Sequence, residues 1–166
     1  MTDQTTKTLD LTLYRDFCEE VAVFPQEDRQ TYLDLGLIGE IGEVAGLVKK
    51  VLRDKGGRFG EEERESILYE FSDCCWYAVM KFRDTAVFKN FTIETFFTGS
   101  NVPIGQKILT SIDAMLEHRN PRTVLEEINY LAELFDSSIE EVLRMNMDKL
   151  LDRKERNVLH GSGDKR

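Results

Sequence analysis

The sequence predicts an all-α fold, a helical bundle formed as one domain. Three observations carry that prediction. Apolar residues recur at helical spacing over most of the chain, prolines number only three, and no sustained apolar–polar alternation argues for a sheet. A first helix is expected over about Leu11–Val23, ending before Phe24-Pro25. A second is expected from Arg29 to Asp54, closed by Gly56-Gly57, since glycine readily adopts the left-handed conformation that ends a helix. The third covers about Glu61–Arg83. Asn120-Pro121 has the polar cap followed by proline that starts a helix, here one running to Phe135. Ser137-x-x-Glu140 fits a capping box and opens a last helix to about Lys154. The Gly/Ser/Asp tail beyond it has no core pattern.

Composition narrows the functional classes. A chain of 166 residues suits a single domain with a moderate core. A formal net charge of −9 argues against a general binder of nucleic-acid backbones, which needs a basic surface. It leaves free nucleotides open, because their phosphates arrive with metal. The three cysteines, Cys18 and the adjacent Cys74-Cys75, form no spaced framework and read as reduced core thiols. The polar start Met1–Asp10 lacks the layout of a signal peptide, and no run reaches the ~18 apolar residues of a membrane span. The expectation is a cytoplasmic protein with no membrane partner.

Four carboxylates in two pairs stand out: Glu40 with Glu43, and Glu70 with Asp73. Residues three apart on a helix share a face, with Cβ atoms roughly 5–6 Å apart. Two such helices side by side bring four acids together. At an effective dielectric of about 20, each like-charge pair at ~4 Å costs roughly 4 kcal/mol, so a positive ion between them is the natural partner. Hard oxygen ligands suit Mg²⁺, with Mn²⁺ also possible. An isolated acid-x-x-acid is ordinarily a solvated face, but these flanks are not solvated faces. Glu40 and Glu43 sit in Leu35-Gly-Leu-Ile-Gly-Glu-Ile-Gly-Glu-Val-Ala-Gly46, and Glu70 and Asp73 precede Cys74-Cys-Trp-Tyr-Ala-Val-Met80. An unpaired charge on such apolar helices is costly. Gly36, Gly39, Gly42 and Gly46 each cost a helix interior about 1 kcal/mol relative to alanine, which argues for close approach by another helix or a ligand.

The first acid segment followed by Lys49-Lys50, then Glu70-x-x-Asp73 with Trp76-Tyr77, resembles the MazG-like nucleoside triphosphate pyrophosphohydrolases. Asn146-Met-Asp-Lys-Leu-Leu-Asp-Arg153 and the tail Gly161-Ser-Gly-Asp-Lys-Arg166 resemble that family's ending. The likeness covers about residues 14–84 and 125–166. It implies an all-α, Mg²⁺-dependent enzyme that cleaves nucleoside triphosphates between the α- and β-phosphates, and a homodimer or homotetramer. It also implies metal ligands at Glu40, Glu43, Glu70 and Asp73. A carboxylate not fully engaged as a ligand, Glu43 first, is the candidate to accept the water proton, with Glu40 the other catalytic candidate.

Residues 84–124 depart from the family as an inserted segment rich in aromatics and turn residues, including Phe88, Phe91, Phe96-Phe97 and Thr98-Gly-Ser-Asn101. After it, Glu126–Phe135 also resembles the second half of the third helix, with an acid-x-x-Asn at Glu126 and Asn129. The metal is assigned to Glu70 and Asp73, since Asn129 would be a poorer, neutral ligand. Helix geometry places Lys50 within roughly 50° of the Glu40/Glu43 face, whereas Lys49 points nearly opposite it. Asn146, Lys149 and Arg153 form a second stripe. By pattern alone that stripe suits phosphate contacts or surface ion pairs with Asp148, Asp152 and Glu155 equally well; the resemblance favours phosphate. A non-catalytic, metal-dependent nucleotide-binding regulator and a plain helical interaction protein are the alternatives.

Overall fold

The computed structural model describes residues 4–82, 85–96 and 101–159. Arg83, residues 97–100 and the tail 161–166, whose sequence features are noted above, lie outside the described residues. The fold is mostly helical. In chain order it comprises β1 (Gln4–Leu9), α1 (Thr12–Glu20), α2 (Arg29–Lys55), α3 (Glu61–Lys81), β2 (Phe91–Phe96), α4 (Ile104–His118), α5 (Pro121–Leu134) and α6 (Ile139–Glu155), with short 3₁₀ turns at Gln26–Asp28 and Thr85–Asn90. No helix among the described residues is long and apolar enough to cross a membrane.

The core forms around α2 and α3, an antiparallel hairpin. Leu33, Leu37, Ile41, Val44, Val48 and Val51 recur at helical spacing on α2 and are all buried. They pack on Ile67, Leu68, Phe71, Cys74, Cys75, Ala78 and Val79 of α3. The turn between the two helices is tight because Gly56 and Gly57 take φ of 59° and 76°, a region that costs residues bearing a Cβ about 1–2 kcal/mol. Gly60 then caps α3, its backbone N–H donating to Glu63 Oε2 at 3.0 Å. Glu61, Glu62 and Glu63 complement the positive helix start. The helices α5 and α6 also pack on α3. All three cysteines are buried free thiols, as expected.

The chain differs from the sequence expectation in four places. A two-stranded antiparallel sheet pairs β1 with β2, setting Leu9 opposite Phe91 and Lys7 opposite Ile93. Leu9, Phe91 and Ile93 are buried, so the ribbon is held by one apolar face against the bundle. The stretch between α3 and α5 also contains a whole helix, α4, whose Ile108, Ile112 and Met115 are buried. The first helix stops at Glu20 instead of reaching Val23. The last helix is capped by Ser138, which accepts from the Glu141 backbone N–H at 3.3 Å; the Ser137 hydroxyl instead bonds the Glu141 side chain at 2.7 Å.

Candidate metal centre and adjoining pocket

Glu40 and Glu43 project from α2 toward Glu70 on α3, and one carboxylate oxygen of each lies within 4.8 Å of the others. Glu40 and Glu70 are half-buried and Glu43 is exposed. The chemistry of this donor set fits a hard divalent cation. The 4.8 Å limit within which the three oxygens lie only slightly exceeds the roughly 4.2 Å that can separate two ligands of one Mg²⁺ ion, whose Mg²⁺–O bonds are about 2.0–2.1 Å. Their mutual field is visible in Glu40, whose pKa is pushed up to about 8, first by burial and then by the charges of Asp73, Glu43 and Glu70, with Lys149 opposing.

Asp73 stands beside this trio rather than within it. Its Oδ1 accepts from Asn146 Nδ2 at 2.8 Å, and its Oδ2 accepts from Lys149 Nζ. Asn146 Oδ1 in turn accepts from the Tyr14 hydroxyl at 2.7 Å. A chain of hydrogen bonds thus runs from α1 through α6 to α3. A carboxylate has about four lone-pair sites, so these two bonds leave room for a cation on Asp73. The stripe Asn146, Lys149 and Arg153 is buried, at 0%, 8% and 6% exposure. It is therefore not a row of exposed ion pairs. Lys149 Nζ also lies 4.1 Å from the Tyr69 ring centroid, within cation–π range.

The acids open onto a cavity of about 190 Å³. Glu40, Glu43 and Asp73 line one part of it, and Asn146 and Arg153 another. A third wall is aromatic: Phe24, Tyr32, Trp76 and Tyr77. The four rings form a closed circuit. Phe24 stacks on Tyr32 at 4.8 Å, Tyr32 meets Tyr77 at 6.3 Å, Tyr77 meets Trp76 edge-on at 5.0 Å, and Trp76 meets Phe24 edge-on at 6.0 Å. Such a wall offers π-faces to a flat ring.

Lys50 is not brought to this cavity. It lines a separate groove with Lys55, Glu62 and Glu63. The competing acid-x-x-Asn of α5 is also elsewhere: Glu126 pairs with Arg122 at 3.6 Å, and buried Asn129 donates to Glu133 at 3.0 Å.

No protein-family model matches the chain, and no solved structure matches it. The chain is 26% identical over 160 residues to the Gene 37 protein of Mycobacterium phage L5, covering 93% of this chain and 96% of that one. That name states no activity. The match runs nearly end to end, so it takes in the segment between α3 and α5.

The aromatic wall and Tyr14 were not singled out from sequence. A trace of the wall was present, since Trp76 and Tyr77 follow Asp73 by three and four residues and so share its side of α3.

Proposed function

We propose that this chain is a MazG-like nucleoside triphosphate pyrophosphohydrolase. The supporting observation is the convergence of Glu40, Glu43 and Glu70 at the edge of an aromatic-walled cavity. A cluster of hard oxygen donors beside flat apolar surface suits a metal-bound phosphate chain attached to a base. In this reading Glu40, Glu43, Glu70 and Asp73 hold Mg²⁺ or Mn²⁺. When bound, the ion would neutralise phosphate charge and acidify a water.

The chain's own groups have separable tasks. The aromatic wall takes the base. Arg153, lining the cavity, offers a guanidinium to phosphate oxygens. Asn146 and Lys149 hold Asp73 in place. Lys50 lies seven residues beyond Glu43, roughly 10 Å along the helix, in a separate groove, so it takes no part in this site. Glu43, the exposed member of the trio, accepts the proton of the attacking water. The water oxygen bonds to the α-phosphorus, the bond from that phosphorus to the α–β bridging oxygen breaks, and pyrophosphate leaves with the bridging oxygen. The products are a nucleoside monophosphate and pyrophosphate. The reading includes a cytoplasmic homodimer or homotetramer.

A metal-dependent nucleotide binder without turnover would use the same residues. Pyrophosphate release from a panel of nucleoside triphosphates with Mg²⁺ separates the two. Release supports the enzyme; binding without release supports the regulator.

A further inference from the structure

Gly36 lies one turn before Glu40 on α2, and its missing side chain has a specific use. A Cβ built there would overlap the Tyr77 ring, with even Cδ1 only 2.8 Å away. The Tyr77 ring thus rests directly on the α2 backbone. The other glycines of this helix differ, since a Cβ at Gly39, Gly42 or Gly46 would meet nothing within 4 Å. Tyr77 is flanked by Trp76 at 5.0 Å and Tyr32 at 6.3 Å. If α2 pushed the ring away, the open direction is the cavity that Tyr77 lines. That cavity, at about 190 Å³, is smaller than the ~300–1,000 Å³ of ordinary ligand pockets, so one displaced ring would remove much of its space.

We propose that Gly36 is a specificity-determining position, acting through Tyr77: the absence of a Cβ keeps the aromatic wall back and leaves room for a two-ring base. Gly36→Ala moves the wall inward and selects for single-ring bases. This rests on the nucleotide reading above. Gly36 itself is a positioning residue, because it touches Tyr77 and not the substrate.

Trp76 is the chain's single tryptophan and belongs to the same wall, so its emission reports arrival of a base without any turnover. Wild type, Gly36→Ala, Tyr77→Ala and the double variant are titrated with cytidine and guanosine monophosphates. In wild type both nucleotides change the emission. In Gly36→Ala, guanosine monophosphate weakens about tenfold more than cytidine monophosphate, the low end of what a methylene-sized steric difference is worth. Tyr77→Ala moves the ratio the other way, and Gly36→Ala adds nothing in that background. In turnover the change falls on KM and leaves kcat unchanged. An unchanged ratio in Gly36→Ala, or the same shift with Tyr77 absent, overturns the proposal. Should Gly36→Ala alone fail to fold, the double variant must fold and bind as Tyr77→Ala does; a double variant that stays unfolded also overturns it. Pyrophosphate release, measured in parallel, distinguishes the two levels. Release by wild type with a silent Trp76 overturns the role of Gly36 and leaves the hydrolase reading intact. A responding Trp76 without release does the reverse.

Discussion

Lys149 and Asp73 form an ion pair between α6 and α3 whose side chains are only 4% and 14% exposed. Asn146 reinforces it from the next turn of α6, so the last helix is fastened to the carboxylate cluster by two bonds to a single residue.

Removing one partner of a buried pair leaves a charge without its counterpart, which costs roughly 3–5 kcal/mol. Lys149→Met should therefore lower stability by that order in chemical denaturation. The double variant Lys149→Met/Asp73→Asn should regain much of the loss. A double variant no more stable than Lys149→Met would show that the unpaired Asp73 carboxylate is not what destabilises the single variant.

Tyr14→Phe removes the hydroxyl that donates to Asn146. The expected loss is about 0.5–1.5 kcal/mol, the net worth of an ordinary hydrogen bond. Since Asn146 orients Asp73, metal affinity measured by calorimetry should fall as well. Unchanged affinity would mean that Asp73 keeps its position without this chain of bonds.

For the carboxylates, Glu40→Gln, Glu43→Gln and Glu70→Gln should each reduce Mg²⁺ or Mn²⁺ binding by orders of magnitude while circular dichroism stays helical. Without metal these variants should be as stable as the parent or more so, because like-charge repulsion is relieved. Glu126→Gln should leave metal affinity unchanged, its partner being Arg122 on the same helix.

Glu40 gives a pH dependence whose sign is fixed by its raised pKa of about 8 against an ordinary 4.5. A carboxyl with a folded pKa above its unfolded value binds a proton more tightly when folded. Its contribution to stability is full below pH 4.5 and is lost as pH rises through about 8. Metal-free wild type should lose stability across that window relative to Glu40→Gln, as read from denaturation midpoints at its two ends. Metal affinity should move oppositely, strengthening with pH as the proton ceases to compete. A Glu40→Gln profile parallel to wild type would contradict the assignment.

Much of this was legible in the sequence, for identifiable reasons. The α2–α3 hairpin followed from long apolar periodicity and from Gly56-Gly57, both local signals. The ribbon was missed because β1 reads Gln-Thr-Thr-Lys-Thr-Leu and owes its pairing to a partner far along the chain, while β2 shows alternation only at Phe91 and Ile93. The helix α4 had its signal in Ile104, Ile108, Ile112 and Met115, hidden among the turn residues before it. Lys50 shows the limit of angular reasoning. Its angle around α2 suits the acid face, but the rise of about 1.5 Å per residue carries it down the helix axis. No pattern within one helix could reveal that α6 would hold Asp73, because that contact depends on packing between helices.

The proposed homo-oligomer predicts a specific response at the open glycines. In an isolated chain, Gly39→Ala, Gly42→Ala and Gly46→Ala should each stabilise by up to about 1 kcal/mol, through helix propensity alone. If a second copy packs on this face, the same variants should weaken association in sedimentation experiments. Stabilisation with unchanged mass would place the contact elsewhere.

The central claim, that the carboxylate cluster serves hydrolysis at the α-phosphorus, is tested most directly by ³¹P spectroscopy of a nucleoside triphosphate incubated with the protein and Mg²⁺. The expected products are a nucleoside monophosphate and pyrophosphate, with formation that stops with EDTA and no turnover by Glu43→Gln. A nucleoside diphosphate with orthophosphate would place attack at the γ-phosphorus, and turnover that survives Glu43→Gln would remove the cluster from the chemistry; either result contradicts the account.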